Sequence, residues 1–416
     1  MFHYKQDRLY ADQVDLAKVL KTFGTPLYVY DANIIRNNCR DLLTAFAPLN
    51  PHLHYSVKAN SNLSLLRLLH EQGAGFDIVS GGELARLQAT GVSIADTSFA
   101  GVGKSRDEIL QALQAGIRFF NVESEGELAR IADLATQAQK SAQILLRLNP
   151  NVDAKTHKYI TTGKAVNKFG LSFEIADTLC DQYAKNKWVD IVGFHMHIGS
   201  QVTTIAPYVQ AAQRMVSFIQ TRRQKSQQID WLNLGGGFGI QYQDNVPPIS
   251  TTELATALLP ILADQSLQII LEPGRSLIGP AGILLTEVQY VKQTESKRFI
   301  IVDSGMHHLI RPALYGGWHK IWPIDQTLTT ADLSPCDVVG PICESTDFLA
   351  QDRLLPEVNS GDVLAVFDVG AYGFVMASNY NSHLRPAEIL VDGDRYRIIR
   401  HREQYQDLMS LEVACL

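Results

Sequence analysis

Four short stretches of this chain bring together side chains able to do chemistry. In Tyr55-Ser56-Val57-Lys58-Ala59-Asn60 an amine follows Pro51 to Val57, a mix of aromatic, β-branched and polar residues that reads as a strand. Asn60-Ser61-Asn62 then precedes the apolar-periodic run Leu63, Leu65, Leu66, Leu68 and Leu69, which reads as a capped helix. Lys58 thus falls where a strand gives way to a loop, and in an α/β barrel that is the face on which reactions occur. His195-Met196-His197-Ile198-Gly199-Ser200-Gln201 sets two histidines two apart at a strand end, on one face. They suit metal ligation or stacking on a flat ligand; a third ligand at suitable spacing is missing, so no metal is expected. Leu234-Gly235-Gly236-Gly237-Phe238-Gly239 lets backbone N–H groups approach an anion, and no Gly-Lys-Ser/Thr follows to make it an ATP-type loop. Leu271-Glu272-Pro273-Gly274-Arg275-Ser276 places a carboxylate and a guanidinium three residues apart across a turn.

Each stretch alone also reads as something plainer: a surface lysine, a polar strand end, a conformational turn, a local ion pair. Jointly they supply an amine for a Schiff base, a stackable ring, an anion nest and an acid for a ring nitrogen. A phosphate-bearing aromatic aldehyde cofactor needs those parts.

The elements that must position them alternate. Short β-leaning runs recur at Leu27–Tyr30, His54–Val57, Gly75–Val79, Ser98–Ala100, Arg118–Val122, Gln143–Leu148, Ile191–Met196, Trp231–Leu234 and Gln268–Leu271, with helix-like stretches such as Arg106 to Ala115 between them. That pattern predicts βαβ units and, at this length, a (β/α)8 TIM-type barrel over residues 27–278, with a doubly wound open sheet as the alternative. Past Pro280 the helical signal fades and turn-punctuated β runs follow. Residues 279–416, with 1–26, are expected to form a second, mostly antiparallel β domain. The 416 residues, 46% hydrophobic and 19% charged, allow a large core. A net charge of −6 with no basic block excludes a nucleic-acid surface, and no run approaches a membrane span. Five scattered cysteines and the absence of a signal-peptide pattern point to a reduced, cytoplasmic setting.

In those residues and their order, the chain resembles the diaminopimelate decarboxylases, pyridoxal-phosphate enzymes of the alanine-racemase-like barrel class to which ornithine and arginine decarboxylases also belong. The resemblance runs from Gly24-Thr25-Pro26 to Arg385-Pro386. It includes Tyr55–Asn60, Phe76–Glu83, Asn167-Lys168-Phe169-Gly170, His197–Gln201, Gly235–Gly237, Glu272–Arg275, Arg311–Tyr315, Cys343-Glu344-Ser345, Gly370-Ala371-Tyr372 and Asn379-Tyr380-Asn381.

The resemblance implies pyridoxal 5'-phosphate held as a Schiff base on Lys58, with His197 stacked on its ring and Glu272 facing its nitrogen. Ser200, Gly235, Gly236, Gly237, Gly274, Arg275 and Tyr372 would surround the phosphate. Arg275, Arg311, Tyr315, Glu344 and Tyr372 would hold the amino-acid substrate. Cys343 would deliver a proton from the partner subunit of a homodimer with shared active sites. The implied reaction converts meso-2,6-diaminopimelate to L-lysine and CO2, the last step of lysine biosynthesis. An acid opposite the ring nitrogen favours decarboxylation, because it keeps the ring a deep electron sink. Arg311 can fork onto the distal carboxylate while Glu344 pairs with the ammonium; ornithine would leave the arginine unpaired. A decarboxylase for arginine or carboxynorspermidine, or a catalytically dead relative, remain alternatives, and the presence of both Lys58 and Cys343 speaks against the last. Met306-His307-His308 departs from the polar residue common in that motif and puts the local loop shape in question.

Overall fold

A computed structural model describes residues 1–153, 168–330 and 332–416 and divides into two compact units. Asn167, the first residue of the Asn-Lys-Phe-Gly motif, lies outside the described residues.

The first unit, Asn38–Ile240 with Pro247–Ser276, is a closed barrel of eight parallel strands. They are β1 (His52–Ser56), β2 (Gly75–Ile78), β3 (Thr97–Phe99), β4 (Phe119–Val122), β5 (Ala142–Arg147), β6 (Val189–His195), β7 (Trp231–Asn233) and β8 (Gln268–Leu271). Closure is made by β8 on β1, where Ile270 and Leu271 face His52 and Leu53. The intervening helices start on a repeated local signal. Ser80, Ser105, Ser124 and Ser250 each accept a hydrogen bond from the backbone N–H of a glutamate three residues on, which satisfies one of the free donors at a helix start. Inward positions alternate along each strand. The lower layer is apolar: Phe119, Leu145 and Ile270 are buried and pack with Val192 and Trp231. Two residues further along those strands the layer turns polar, with Asn121, Arg147, Asn233 and Glu272 all buried.

The second unit, Met1–Asn37, Gln241–Val246 and Leu277–Leu416, is built on a nine-stranded, mostly antiparallel sheet. Its spine is the long strand Gly282–Gln293, which pairs antiparallel with Leu27–Asp31, Arg298–Val302 and Val363–Val366. A separate three-stranded sheet spans Phe2–Lys5, Arg8–Ala11 and Val14–Asp15. The core of this unit joins Leu27, Val29, Ile283, Leu285, Ala365 and Ile389.

The domain boundaries differ from the expectation that the barrel starts at residue 27. Leu27–Asp31 is a strand of the second unit, antiparallel to the spine and parallel to Ala387–Asp392. All five of its residues are buried, so its sequence has the continuous apolar texture of a barrel strand. No helix among the described residues is long and apolar enough to cross a membrane.

Candidate active site

The polar layer at the C-terminal ends of the barrel strands is one connected network. At its centre Glu272, just past β8, is 4% exposed and accepts hydrogen bonds from three buried donors. These are His195 Nε2 to Oε2 at 3.0 Å, and Asn233 Nδ2 and Asn121 Nδ2 to Oε1 at 2.6 and 3.1 Å. Burial alone would raise the Glu272 carboxyl, but the hydrogen bonds from His195 and Asn233 and the nearby Lys58 ammonium hold it well below the usual carboxylate range. Glu272 is therefore an anion.

Lys58 sits in a single helical turn, Val57–Ala59, directly after β1. Its Nζ donates to Asp77 Oδ2 at 2.9 Å, and the Ser56 hydroxyl lies 2.9 Å from the same oxygen. Burial and the nearby Glu272 charge push the Asp77 carboxyl up, against the pull of Lys58. Glu83, in the first turn of the helix Gly81–Thr90, caps the Val79 N–H at 2.7 Å and is pushed up to about 7 by burial and by Asp77. Three carboxyl groups thus act electrostatically around one lysine. His197 is held far below its ordinary range, first by burial and then by Arg147 and Lys58, so its ring is neutral. Its Nδ1 lies 3.4 Å from the Gly236 N–H.

The glycine run is wedged between strand ends. A Cβ on Gly236 would stand 1.9 Å from the Glu272 carbonyl oxygen, and the Gly235 N–H is already bonded to Asn233 Oδ1 at 2.8 Å. Room, more than free donors, is what these glycines contribute. Across the next turn, Gly274 packs against Ser56 and Ala59, the Ser56 N–H bonds to the Pro273 carbonyl at 3.1 Å, and Arg275 donates to the Ser200 hydroxyl at 3.0 Å. The barrel unit therefore gathers Lys58, His197, Ser200, Gly235–Gly237, Glu272, Gly274 and Arg275 at the C-terminal ends of β1, β6, β7 and β8.

The other expected residues lie in the sheet unit. Arg311, nearly buried, stands over the Tyr242 ring at 4.5 Å and points Nη1 at His319 Nε2, 2.7 Å away. His319 Nδ1 donates to the Phe367 carbonyl at 2.8 Å, which leaves Nε2 as the acceptor. Asp368, pushed up to about 7 by burial, feels both Lys320 and Arg311. Tyr315 ends the short helix Arg311–Tyr315, and Tyr372 is half-buried in left-handed backbone. Cys343 and Glu344 are exposed. The Cys343 N–H bonds to Asn381 Oδ1, and Glu344 accepts from Tyr380. Their loop is anchored by Asp347, whose carboxylate takes the N–H groups of Met306 and Ile342, both at 2.6 Å. The unusual Met306-His307-His308 segment is ordered by packing: the His307 ring lies 3.6 Å from His308 and 4.7 Å from His383.

Sequence reasoning missed Asp77, Asn121 and Asn233 and gave His195 no role. The available signal is a lone polar residue at an inward position one or two places before a strand ends, as in Phe76-Asp77-Ile78 and Phe120-Asn121-Val122.

A ring bearing a protonated nitrogen, an aldehyde and a phosphate finds matching chemistry in this donor set: an ionised carboxylate, a primary amine, a neutral aromatic ring, a guanidinium and a hydroxyl. The residues fit pyridoxal 5'-phosphate. Residues 32–279 match the family model of the pyridoxal-dependent decarboxylases, pyridoxal binding domain. The diaminopimelate decarboxylase of Neisseria meningitidis serogroup B is 46% identical over 409 residues, covering 98% of each chain. That of Pseudomonas aeruginosa is 44% identical over 414 residues, covering 99% of this chain and 98% of the other. The crystal structure of diaminopimelate decarboxylase from Helicobacter pylori complexed with L-lysine superposes with a TM-score of 0.92 at 40% identity, covering 97% of this chain and all of that one. Similarity of that depth across both units places this chain in the pyridoxal-phosphate-dependent diaminopimelate decarboxylase family.

Proposed function

We propose that this chain removes one carboxylate of meso-2,6-diaminopimelate as CO2 and leaves L-lysine, with Lys58, Glu272 and Cys343 carrying the chemistry. The observation that carries the reading is the ionised, triply hydrogen-bonded Glu272 beside the Lys58–Asp77 pair on the catalytic face of a barrel. Bound pyridoxal 5'-phosphate supplies an aldehyde for the amines and a ring that accepts the electron pair left when CO2 departs. Lys58 Nζ would hold the cofactor through its aldehyde, and Asp77, which accepts from that amine at 2.9 Å, keeps it oriented. Glu272 holds a proton on the ring nitrogen. His197 presents a neutral face to the ring. Ser200 Oγ and the Arg275 guanidinium, with Tyr372 and the close-packed Gly235–Gly237 and Gly274 backbone, hold the phosphate.

The substrate's distal end carries a carboxylate and an ammonium. Arg311, its guanidinium oriented by His319 and Tyr242, binds the carboxylate, and Glu344 binds the ammonium, with Arg275, Tyr315 and Tyr372 completing the contacts. Cys343 Sγ delivers the proton that replaces the lost carboxylate. Its exposure in a single chain supports a homodimer in which this loop serves the partner's site.

The test is CO2 release from meso-diaminopimelate, ornithine and arginine by the same protein. A site built to pair a polar group discriminates against a substrate lacking it by roughly 10⁴-fold, so diaminopimelate should lead by a margin of that order. Arg311→Leu should erase most of that margin by lowering turnover of diaminopimelate. Faster CO2 release from ornithine than from diaminopimelate by the unaltered chain overturns the substrate assignment.

A further inference from the structure

The first histidine of His195-Met196-His197 has no part in the reaction proposed for this chain, yet it is 2% exposed and bonded to the buried acid. The hydrogen-bond network determines where its proton lies. Asn233 Oδ1 takes the Gly235 N–H at 2.8 Å, so its Nδ2 is the atom facing Glu272 Oε1. Asn121 Nδ2 faces the same oxygen. A proton on the Glu272 carboxyl would need an acceptor, and the neighbours in place there are N–H donors. Glu272 accepts, so His195 Nε2 must donate. The other ring nitrogen, Nδ1, is buried with no hydrogen-bond partner among the described residues. An imidazolium would bury an unsatisfied N–H there, a loss that buried polar groups avoid. The ring is neutral, with its single proton on Nε2.

We propose that His195 is the positioning residue for Glu272: a neutral ring that donates from Nε2 and, with Asn121 and Asn233, fixes the carboxylate as the anion facing the cofactor's ring nitrogen. His195 touches neither cofactor nor substrate and acts through Glu272. The arrangement also ties two parts of the site together. Asn233 holds Glu272 through Nδ2 and the glycine run through Oδ1, so the acid and the loop that packs beside it share one clamp. The inference rests on the reading of Glu272 as partner of the ring nitrogen.

The test compares the unaltered chain with His195→Leu, His195→Gln and Glu272→Gln. The readouts are the dissociation constant of pyridoxal 5'-phosphate and the ¹⁵N shift of its labelled ring nitrogen. His195→Leu should weaken cofactor binding by about tenfold or more, the scale of a hydrogen bond to a charged group, and move the ring ¹⁵N resonance toward the unprotonated position. His195→Gln, whose amide N–H reaches the same oxygen, should restore most of both; a merely space-filling role would not respond to that rescue. If His195→Leu binds and resonates like the parent while Glu272→Gln does not, the His195 inference falls and the Glu272 reading stands. An unchanged ring ¹⁵N shift in Glu272→Gln overturns both. Should the leucine variant fail to fold, imidazole ¹⁵N spectra of the unaltered chain, assigned against His195→Gln, decide the matter. A proton on Nε2 with a bare Nδ1 supports the inference, and a proton on Nδ1 overturns it.

Discussion

The two mouths of the barrel carry similar side chains to opposite ends. At the N-terminal mouth a single carboxylate, Asp96, faces three partners: His52 Nδ1 at 3.5 Å, His54 Nε2 at 3.2 Å and Arg118 Nη1 at 3.2 Å. Burial works against ionisation there, but the two histidine rings beside it and the Arg118 charge hold the Asp96 carboxyl well below the usual range. At the C-terminal mouth Asp77, Glu83 and Glu272 crowd about Lys58, and the first two are pushed up rather than down. Exposure differs as well: the Asp96 side chain is 37% exposed and that of Glu272 3%. The first mouth is closed in charge and half open to water, an arrangement that serves stability. The second buries Glu272 and Asp77 and sets three carboxyl groups around the one ammonium of Lys58, so a bound cation, such as a protonated ring nitrogen or a substrate ammonium, relieves it. Perturbed carboxyl groups gathered around one amine at the C-terminal mouth mark chemistry, while a perturbed carboxylate among its own counter-ions marks structure.

Removing one cation from each mouth breaks the comparison most directly. Lys58→Ala should lower turnover of diaminopimelate by roughly a thousandfold or more, since it deletes the amine through which the site works. Arg118→Ala should leave kcat/KM within about twofold and lower the unfolding midpoint instead, because it removes a counter-ion of Asp96 and the cation stacked 5.4 Å over Trp231. Steady-state kinetics beside a thermal melt reads both. Comparable losses of turnover in the two variants would abolish the distinction between the mouths.

The amino-acid sequence carries about half of that distinction openly. Lys58, His197, Glu272 and Arg275 stand at strand ends beside turn residues, so local patterning locates them and chemistry groups them. The C-terminal polar layer is less visible, because Asp77, Asn121 and Asn233 each sit alone among apolar neighbours. Only closure of the barrel brings them together, over sequence separations of up to 151 residues in the Asn121–Glu272 bond. The N-terminal mouth is hidden for the same reason: His54 and Asp96 meet only because β1 is followed in space by β2 and β3. The strand Leu27–Asp31 shows the limit from the other side. Burial on both faces gives it barrel-like composition, and pairing partners more than 250 residues away decide which sheet it joins.

A smaller effect tests the N-terminal mouth through pH. The Asp96 carboxyl is depressed in the folded chain, so its contribution is present above its unfolded value of about 3.9 and is lost as pH falls toward the folded one. Asp96→Asn should therefore destabilise the chain at pH 7 by about 1 kcal/mol, the scale for a pair partly open to water, and the gap to the parent should close below about pH 4. Denaturant midpoints at pH 7 and pH 3.5 measure it. A gap that widened on acidification would show that the His52–His54–Arg118 cluster does not favour the ionised form.

The smallest effect lies at the C-terminal mouth and carries the opposite sign. Glu83 titrates at about 7 in the folded chain, mainly through burial and then the neighbouring Asp77. Unfolded, a glutamate titrates near 4.3, so between roughly pH 4.3 and 7 the folded chain holds the extra proton and stability declines as pH rises. Glu83→Gln imitates the protonated acid and can still accept the Val79 N–H through its amide oxygen. The variant should match the parent near pH 4 and exceed it at pH 8 by a few tenths to about 1 kcal/mol, once water around a half-buried group is allowed for. Thermal melts of the two cofactor-free chains at both pH values read the difference without reference to turnover. An advantage that shrank or reversed toward pH 8 would mean that Glu83 is well paired, and the crowding of acids around Lys58 would then rest on Asp77 and Glu272 alone. An advantage that grows with pH places Glu83 in the same strained set. The C-terminal mouth would then set two carboxyl groups pushed up, Asp77 and Glu83, against the single Asp96 pulled down at the N-terminal one.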